Sequence, residues 1–157
     1  MSPERQLKNL TVGDLRHLME VDAPTVGPHQ SMNVLMGKIL KEPRIRHVYV
    51  VDEQDVLLGV VRMNQVVEFL FPFTAAHGKL STDFFRDFLA ENAEDLMNTE
   101  PHYVQESTPL PELAAILMEE KINELPVVDS KRRVIGQVNV YEIITAFLSH
   151  IEAQATE

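Results

Sequence analysis

Met32, Leu35, Met36, Ile39 and Leu40 fall at i, i+3, i+4, i+7 and i+8, the spacing of one apolar face of a helix. Leu110, Leu113, Ala114, Leu117 and Met118 repeat that spacing. Ser31 and Thr108 precede the two helices as N-caps, and Pro109 suits a first helical turn. After the first helix, Arg44 to Asp52 is rich in β-branched residues, Asp52 to Asp55 is a polar turn, and Val56 to Val61 is apolar again. The second helix is followed in the same way by Lys121 to Asp129, a turn at Asp129 to Arg132, and Val134 to Val138. Both stretches read as strand, hairpin turn, strand. A further helix follows each: Asn64 to Phe71, and Val140 to about Ile151. Thr11 caps a short helix running to Met19, and Ala93 to Met97 is its weaker echo. Pro24-Thr-Val26 and Pro101-His-Tyr-Val104 are short extended segments that come next in each half.

The chain therefore says one thing twice. Ile45 pairs with Ile122, Val50-Val51-Asp52 with Val127-Val128-Asp129, and Gly59 with Gly136, all at one constant offset. The two amphipathic helices match with the offset larger by one, so a single-residue slip lies near Lys41 to Pro43. Two copies imply two similar units related by a pseudo-twofold axis, with a ligand expected in the cleft between them. The boundaries expected are 8–71 for the first unit, 72–92 for an insert and 93–153 for the second. In the insert, Ser81-Thr-Asp83 caps a helix carrying Phe84, Phe85, Phe88 and Leu89. That helix either packs on its own domain or presents an apolar stripe to a partner.

At 157 residues, two units of roughly 60 residues each fit the length, and units that small are expected to pack on one another. The absence of cysteine excludes disulfides, thiol catalysis and Cys-ligated zinc. No apolar run approaches the roughly 20 residues of a membrane span, and the polar N-terminus has no signal-peptide pattern, so a cytoplasmic protein is expected. A net charge of −10 would repel a phosphate backbone, which argues against nucleic acid as a partner. The histidines at 17, 29, 47, 77, 102 and 150 show no metal spacing, and there is neither a glycine-rich phosphate loop nor a Gly-x-Ser-x-Gly elbow. No catalytic activity is expected.

The element order, the Leu-Pro-Val-Val-Asp string at 125–129 and the Val-Ile-Gly-Gln-Val that follows resemble a cystathionine-β-synthase (CBS) domain. Two in tandem resemble a CBS pair, or Bateman module. The resemblance covers nearly all of the chain outside the insert, and the second copy matches better, since Tyr49 replaces the usual proline in the first. It implies an α/β (α+β) fold of two CBS domains in helix-strand-helix-strand-strand-helix order, related by a pseudo-twofold axis. It also implies a regulatory module that binds AMP, ADP, ATP or S-adenosylmethionine between the repeats and forms a homodimer. With no other domain in this sequence, a regulated protein would be reached in trans. The alternative is a ligand-free dimerisation scaffold.

In that family a Thr or Ser after the strand glycine contacts phosphate, and an Asp three residues later chelates the ribose hydroxyls. Here the first copy reads Gly59-Val-Val-Arg62-Met-Asn-Gln65 and the second Gly136-Gln-Val-Asn139-Val-Tyr-Glu142. Arg62 is a strong phosphate partner or a plug. Asn139 can donate to phosphate, Glu142 keeps a carboxylate for ribose, and Gln65 offers a neutral bond. By the same resemblance Thr25, Val26, Tyr103 and Val104 edge the base pocket, with Ile45, His47, Ile122 and Leu125 at the approach to the central strand. The second copy, with its carboxylate, is the expected first site.

Overall fold

The computed structural model describes residues 3–16, 22–42, 44–71 and 89–156. The expected insert helix at 81–89 lies almost wholly outside these residues, as do the last expected residues of the Thr11-capped helix. The elements are α1 (Pro3–Leu7), α2 (Val12–Arg16), β1 (Thr25–Val26), α3 (Met32–Lys41), β2 (His47–Val51), β3 (Leu57–Arg62), α4 (Met63–Leu70), α5 (Ala93–Leu96), α6 (Leu110–Glu120), β4 (Glu124–Val128), β5 (Val134–Asn139) and α7 (Val140–Ala155). The fold is the expected α+β one, with α4 starting one residue early and α7 running a turn further. No helix among the described residues is long and apolar enough to cross a membrane.

Two compact units form, and each draws on both copies of the repeat. One unit comprises the described residues of Pro24–Pro101; the other joins those of Met1–Ala23 to those of His102–Glu157. In the first, β1 pairs parallel with β2, and β2 antiparallel with β3. Its core contains Val26, Leu35, Val48, Val50, Val61 and Val66, closed by Ala93 and Leu96 of α5. In the second, β4 pairs antiparallel with β5. Its core contains Val104, Leu113, Leu117, Leu125, Val127 and Val138, closed by Val12 and Leu15 of α2. The opening helix of each repeat thus completes the unit built from the other repeat. Both helices dock by the same backbone bonds: Val12 and Gly13 donate to Thr108 and Glu106, and Ala93 and Glu94 donate to Gln30 and Pro28.

The hairpins confirm the repeat atom by atom. Asp52 Oδ1 accepts from the Gln54 and Val56 N–H groups, and Asp129 Oδ1 from those of Lys131 and Arg133, each at 2.9 Å. Asp55 and Arg132 both turn left-handed, at φ 65 and 61. A bulge follows at Val50/Val51 and again at Val127/Val128. The Arg133 backbone N–H, followed by its side chain and the Lys131 N–H, holds the Asp129 carboxyl below its ordinary pKa. One difference has a covalent cause. The Tyr49 N–H donates to the Pro24 carbonyl and extends β1, but Pro126 in the same place has no N–H. The counterpart of β1 is reduced to a single parallel bridge, Val104 to Val127.

Two local expectations are corrected. Ser31 caps α3 through the Val34 N–H, but Pro109, not Thr108, is the N-cap of α6; the Thr108 hydroxyl instead accepts from the Gln105 N–H. Leu40 and Met118, placed on the apolar faces, are 82% and 72% exposed. At 100° per residue, position i+8 has rotated about 80° from position i, to the edge of the buried face.

The repeated glycines mark where the docking helices end. A Cβ on Gly59 would lie 2.6 Å from the Asn98 carbonyl oxygen and from Met97 Sδ. Asn98 cannot yield, because its backbone exchanges both hydrogen bonds with Val60. A Cβ on Gly136 would lie 2.8 Å from the end of the Arg16 side chain, which can swing away. Gly59→Ala is therefore expected to cost roughly 1–3 kcal/mol in urea unfolding and Gly136→Ala less. Equal losses would contradict this reading of the two approaches.

Candidate functional site

The candidate residues gather where the last strand of each hairpin turns into a helix. In the Pro24–Pro101 unit, His47 stands opposite Arg62 across the β2–β3 ladder. Arg62 is the N-cap of α4. Arginine has no acceptor, so it cannot cap the helix with its side chain, and Gln65 caps backward instead. Gln65 Oε1 accepts from the Arg62 N–H at 2.9 Å, and its Nε2 donates to the Leu96 carbonyl at 2.7 Å. The Arg62 Nε is buried with no hydrogen-bond partner. The first turn of α4 contains no acid, so the positive end of its dipole has no carboxylate in that turn. Thr25 is half-buried on β1 and its carbonyl accepts from the Lys38 ammonium. Val26 and Ile45 are core side chains.

In the other unit Glu124 stands opposite Asn139. Both Glu124 and Gln137 are buried, and the Gln137 amide donates to Glu124 Oε2 at 3.1 Å. Asn139 and Glu142 cap each other: Asn139 Oδ1 accepts from the Glu142 N–H, and Glu142 Oε1 from the Asn139 N–H, both at 3.1 Å. Glu142 is 0% exposed, and its Oε2 has no hydrogen-bond partner. Burial raises its pKa to about 7, against the lowering effects of the Asn139 N–H and the Arg16 charge. Val104 and Leu125 are core, Ile122 packs against that core, and the exposed Tyr103 lies under the Arg132 guanidinium at 5.0 Å.

Each unit thus assembles its own half of the expected set. Arg62 carries a buried, unpaired Nε; Asn139 and Glu142 are committed to one another. Among the described residues no group of three or more His, Asp or Glu is placed to hold a metal ion.

The model of the CBS domain matches residues 12–72 and again 93–149. The chain belongs to the CBS-domain family. A CBS domain-containing protein from Thermotoga maritima is similar in structure, with a TM-score of 0.71 and 28% identity over 89% of this chain and 95% of that one. CBSX2 in complex with AMP has a TM-score of 0.68 and 25% identity over 90% of this chain and 98% of its own. An uncharacterized 33.4 kDa protein in a ribosomal RNA operon of Thermofilum pendens is 30% identical over 112 residues. That match covers 69% of this chain and 37% of the relative, so this CBS pair spans little more than a third of that protein.

Arg16 is the residue beside the second CBS corner that sequence reasoning missed. Its Nη1 pairs with Glu106 at 2.7 Å, and its Nη2 donates to the Ile135 carbonyl at 2.8 Å. The signal was present in the repeat, where Arg16 falls opposite Met97, but nothing in the spacing said which sheet α2 would cover. The Asn139 cap gives a direct test. Asn139→Ala removes the acceptor for the Glu142 N–H and is expected to cost about 1 kcal/mol of stability in urea unfolding. A change well under half of that would mean the cap is idle.

Proposed function

We propose that this CBS pair is a regulatory module that binds an adenosine nucleotide, with the phosphate held at Arg62. The observation that supports the reading is the buried, unpartnered Arg62 Nε at the start of α4. A guanidinium in that state gains from an anion that supplies the missing acceptor, and the helix start adds favourable field. The AMP complex of the similar CBSX2 fits the same chemistry. The expected ribose role of Glu142 is not the one this conformation favours, because Glu142 has no exposed surface and one oxygen caps α7. Arg62 and the β1 residue Thr25 are the better candidates, and the module acts by population shift, the ligand favouring one conformation by its differential affinity. The role is binding, not catalysis.

A second reading, a dimerisation scaffold acting on a partner in trans, is favoured by a different observation. Tyr141, Ile144, Leu148 and Ile151 form an exposed stripe along one face of α7, and Val67 on α4 and Phe71 just after it repeat two of its positions. Matching apolar stripes suit a self-complementary contact between two copies of the chain. The two readings are compatible as a ligand-binding homodimer.

Titration calorimetry with adenosine, AMP and ATP tests the first reading. AMP and ATP are expected to bind more tightly than adenosine, with the preference shrinking in salt and lost in Arg62→Ala. Loss of the Arg62 bond is expected to cost roughly 1.5–3 kcal/mol, the scale of a hydrogen bond to a charged group. Binding that ignores the phosphate contradicts the Arg62 assignment. No binding together with a dimeric mass by light scattering favours the scaffold.

A further inference from the structure

Glu142 sits in the first turn of α7 with no exposed surface and one oxygen, Oε2, without a partner. An ionised carboxylate there gives up the solvation of that oxygen with nothing in return. The other unit shows what the second atom of this position does. Gln65 bonds its own N-cap with Oε1, as Glu142 does, and uses Nε2 to reach the Leu96 carbonyl on α5. Leu15 on α2 holds the place of Leu96. The docking bonds of α2 and α5 match in register, and the next residues, Arg16 and Met97, lie over Gly136 and Gly59 respectively. Where the Pro24–Pro101 unit has an amide donor bonded to a carbonyl, this unit has an unpartnered carboxyl oxygen at the equivalent position.

We propose that Glu142 is carried protonated in the folded protein, its Oε2–H donating to the Leu15 carbonyl as the Gln65 amide donates to Leu96, and that losing this proton loosens α2 from α7. The pairing of two acceptors becomes a hydrogen bond only when the proton is present, so the joint is proton-dependent where its counterpart is permanent. The raised pKa of about 7 agrees, burial being its main cause. The surroundings do not reverse it. Among the described side chains, the elements packed most closely on α7 bring Arg5 from α1, Asp14 and Arg16 from α2, and no titratable group from β5. Arg16, held by Glu106 and the Ile135 carbonyl, favours the ionised form without overcoming burial. Asp14 is exposed and accepts from Thr11. Glu124, across the ladder on β4, is bonded to Gln137. On α7 itself lie Tyr141, His150 and Glu152, with the His150 Nδ1 against the Ala146 carbonyl. The device holds whether or not a nucleotide binds.

The sign follows from linkage. The carboxyl titrates at its ordinary 4.5 when unfolded and at about 7 when folded, so between those values the folded state holds the extra proton. Stability falls as pH rises through that window and is level above it. Glu142→Gln makes the donor permanent. The thermal midpoint of E142Q relative to the wild type is expected to rise steadily from about pH 4.5 to about pH 7 and then stay constant. On unfolding near pH 6 the wild type is expected to release about one proton more than E142Q. Infrared spectroscopy on the wild type near pH 6 is expected to show the carbonyl band of a buried protonated carboxylic acid, absent in E142Q. Gln65→Glu is expected to add a second such band. A gap that does not change with pH, no band in the wild type, or a folded Q65E protein without the second band would overturn the proposal.

Discussion

The docking of α2 onto the β4–β5 hairpin is the contact on which that unit depends. Val12 and Leu15 are fully buried members of its core, and the backbone bonds to Thr108 and Glu106 fix their depth. A two-stranded hairpin with two helices leaves one face short of apolar cover, and isolated hairpins are marginal in water. α2 supplies the missing side chains, and α5 does the same for the unit of β1, β2 and β3. The Pro24–Pro101 unit is one continuous segment that already includes α5, but the other is complete only because α2, before residue 24, joins the portion that begins at His102. The close approach also explains the glycines, since the end of each docked helix lies over Gly136 or Gly59.

Most of the elements were legible in the sequence, for a simple reason. Helix faces and strand alternation are local, and the constant offset between Ile45–Gly59 and Ile122–Gly136 doubled every observation. The assignment of α2 and α5 to the opposite repeat's unit was not legible, because periodicity shows that a helix has an apolar face and not which sheet will cover it. The same limit hid Arg16. Cap chemistry was readable at Ser31 and misread at Thr108, where proline at 109 takes the cap position and the threonine turns to Gln105.

The two copies have diverged where they meet their docking helices and ladders. Pro126 in place of Tyr49 removes one donor and reduces a two-residue strand pairing to a single bridge. Arg16 in place of Met97 puts a charge where the other unit has a thioether. Glu142 in place of Gln65 exchanges a permanent donor for a titrating one. The candidate site divides along the same line. One corner keeps an unpaired guanidinium nitrogen suited to an anion, and the other turns its polar groups on each other.

The exchange of opening helices underlies the glycine contacts, the Arg16 position and the surroundings of Glu142. Methyl nuclear Overhauser spectroscopy on the intact chain tests it most directly. Leu15 is expected to show cross-peaks to methyl groups of its own core, Leu113, Leu117 and Val138 among them. Cross-peaks from Leu15 to Leu35, Val48 or Val61 instead would place α2 on its own repeat and contradict the exchange.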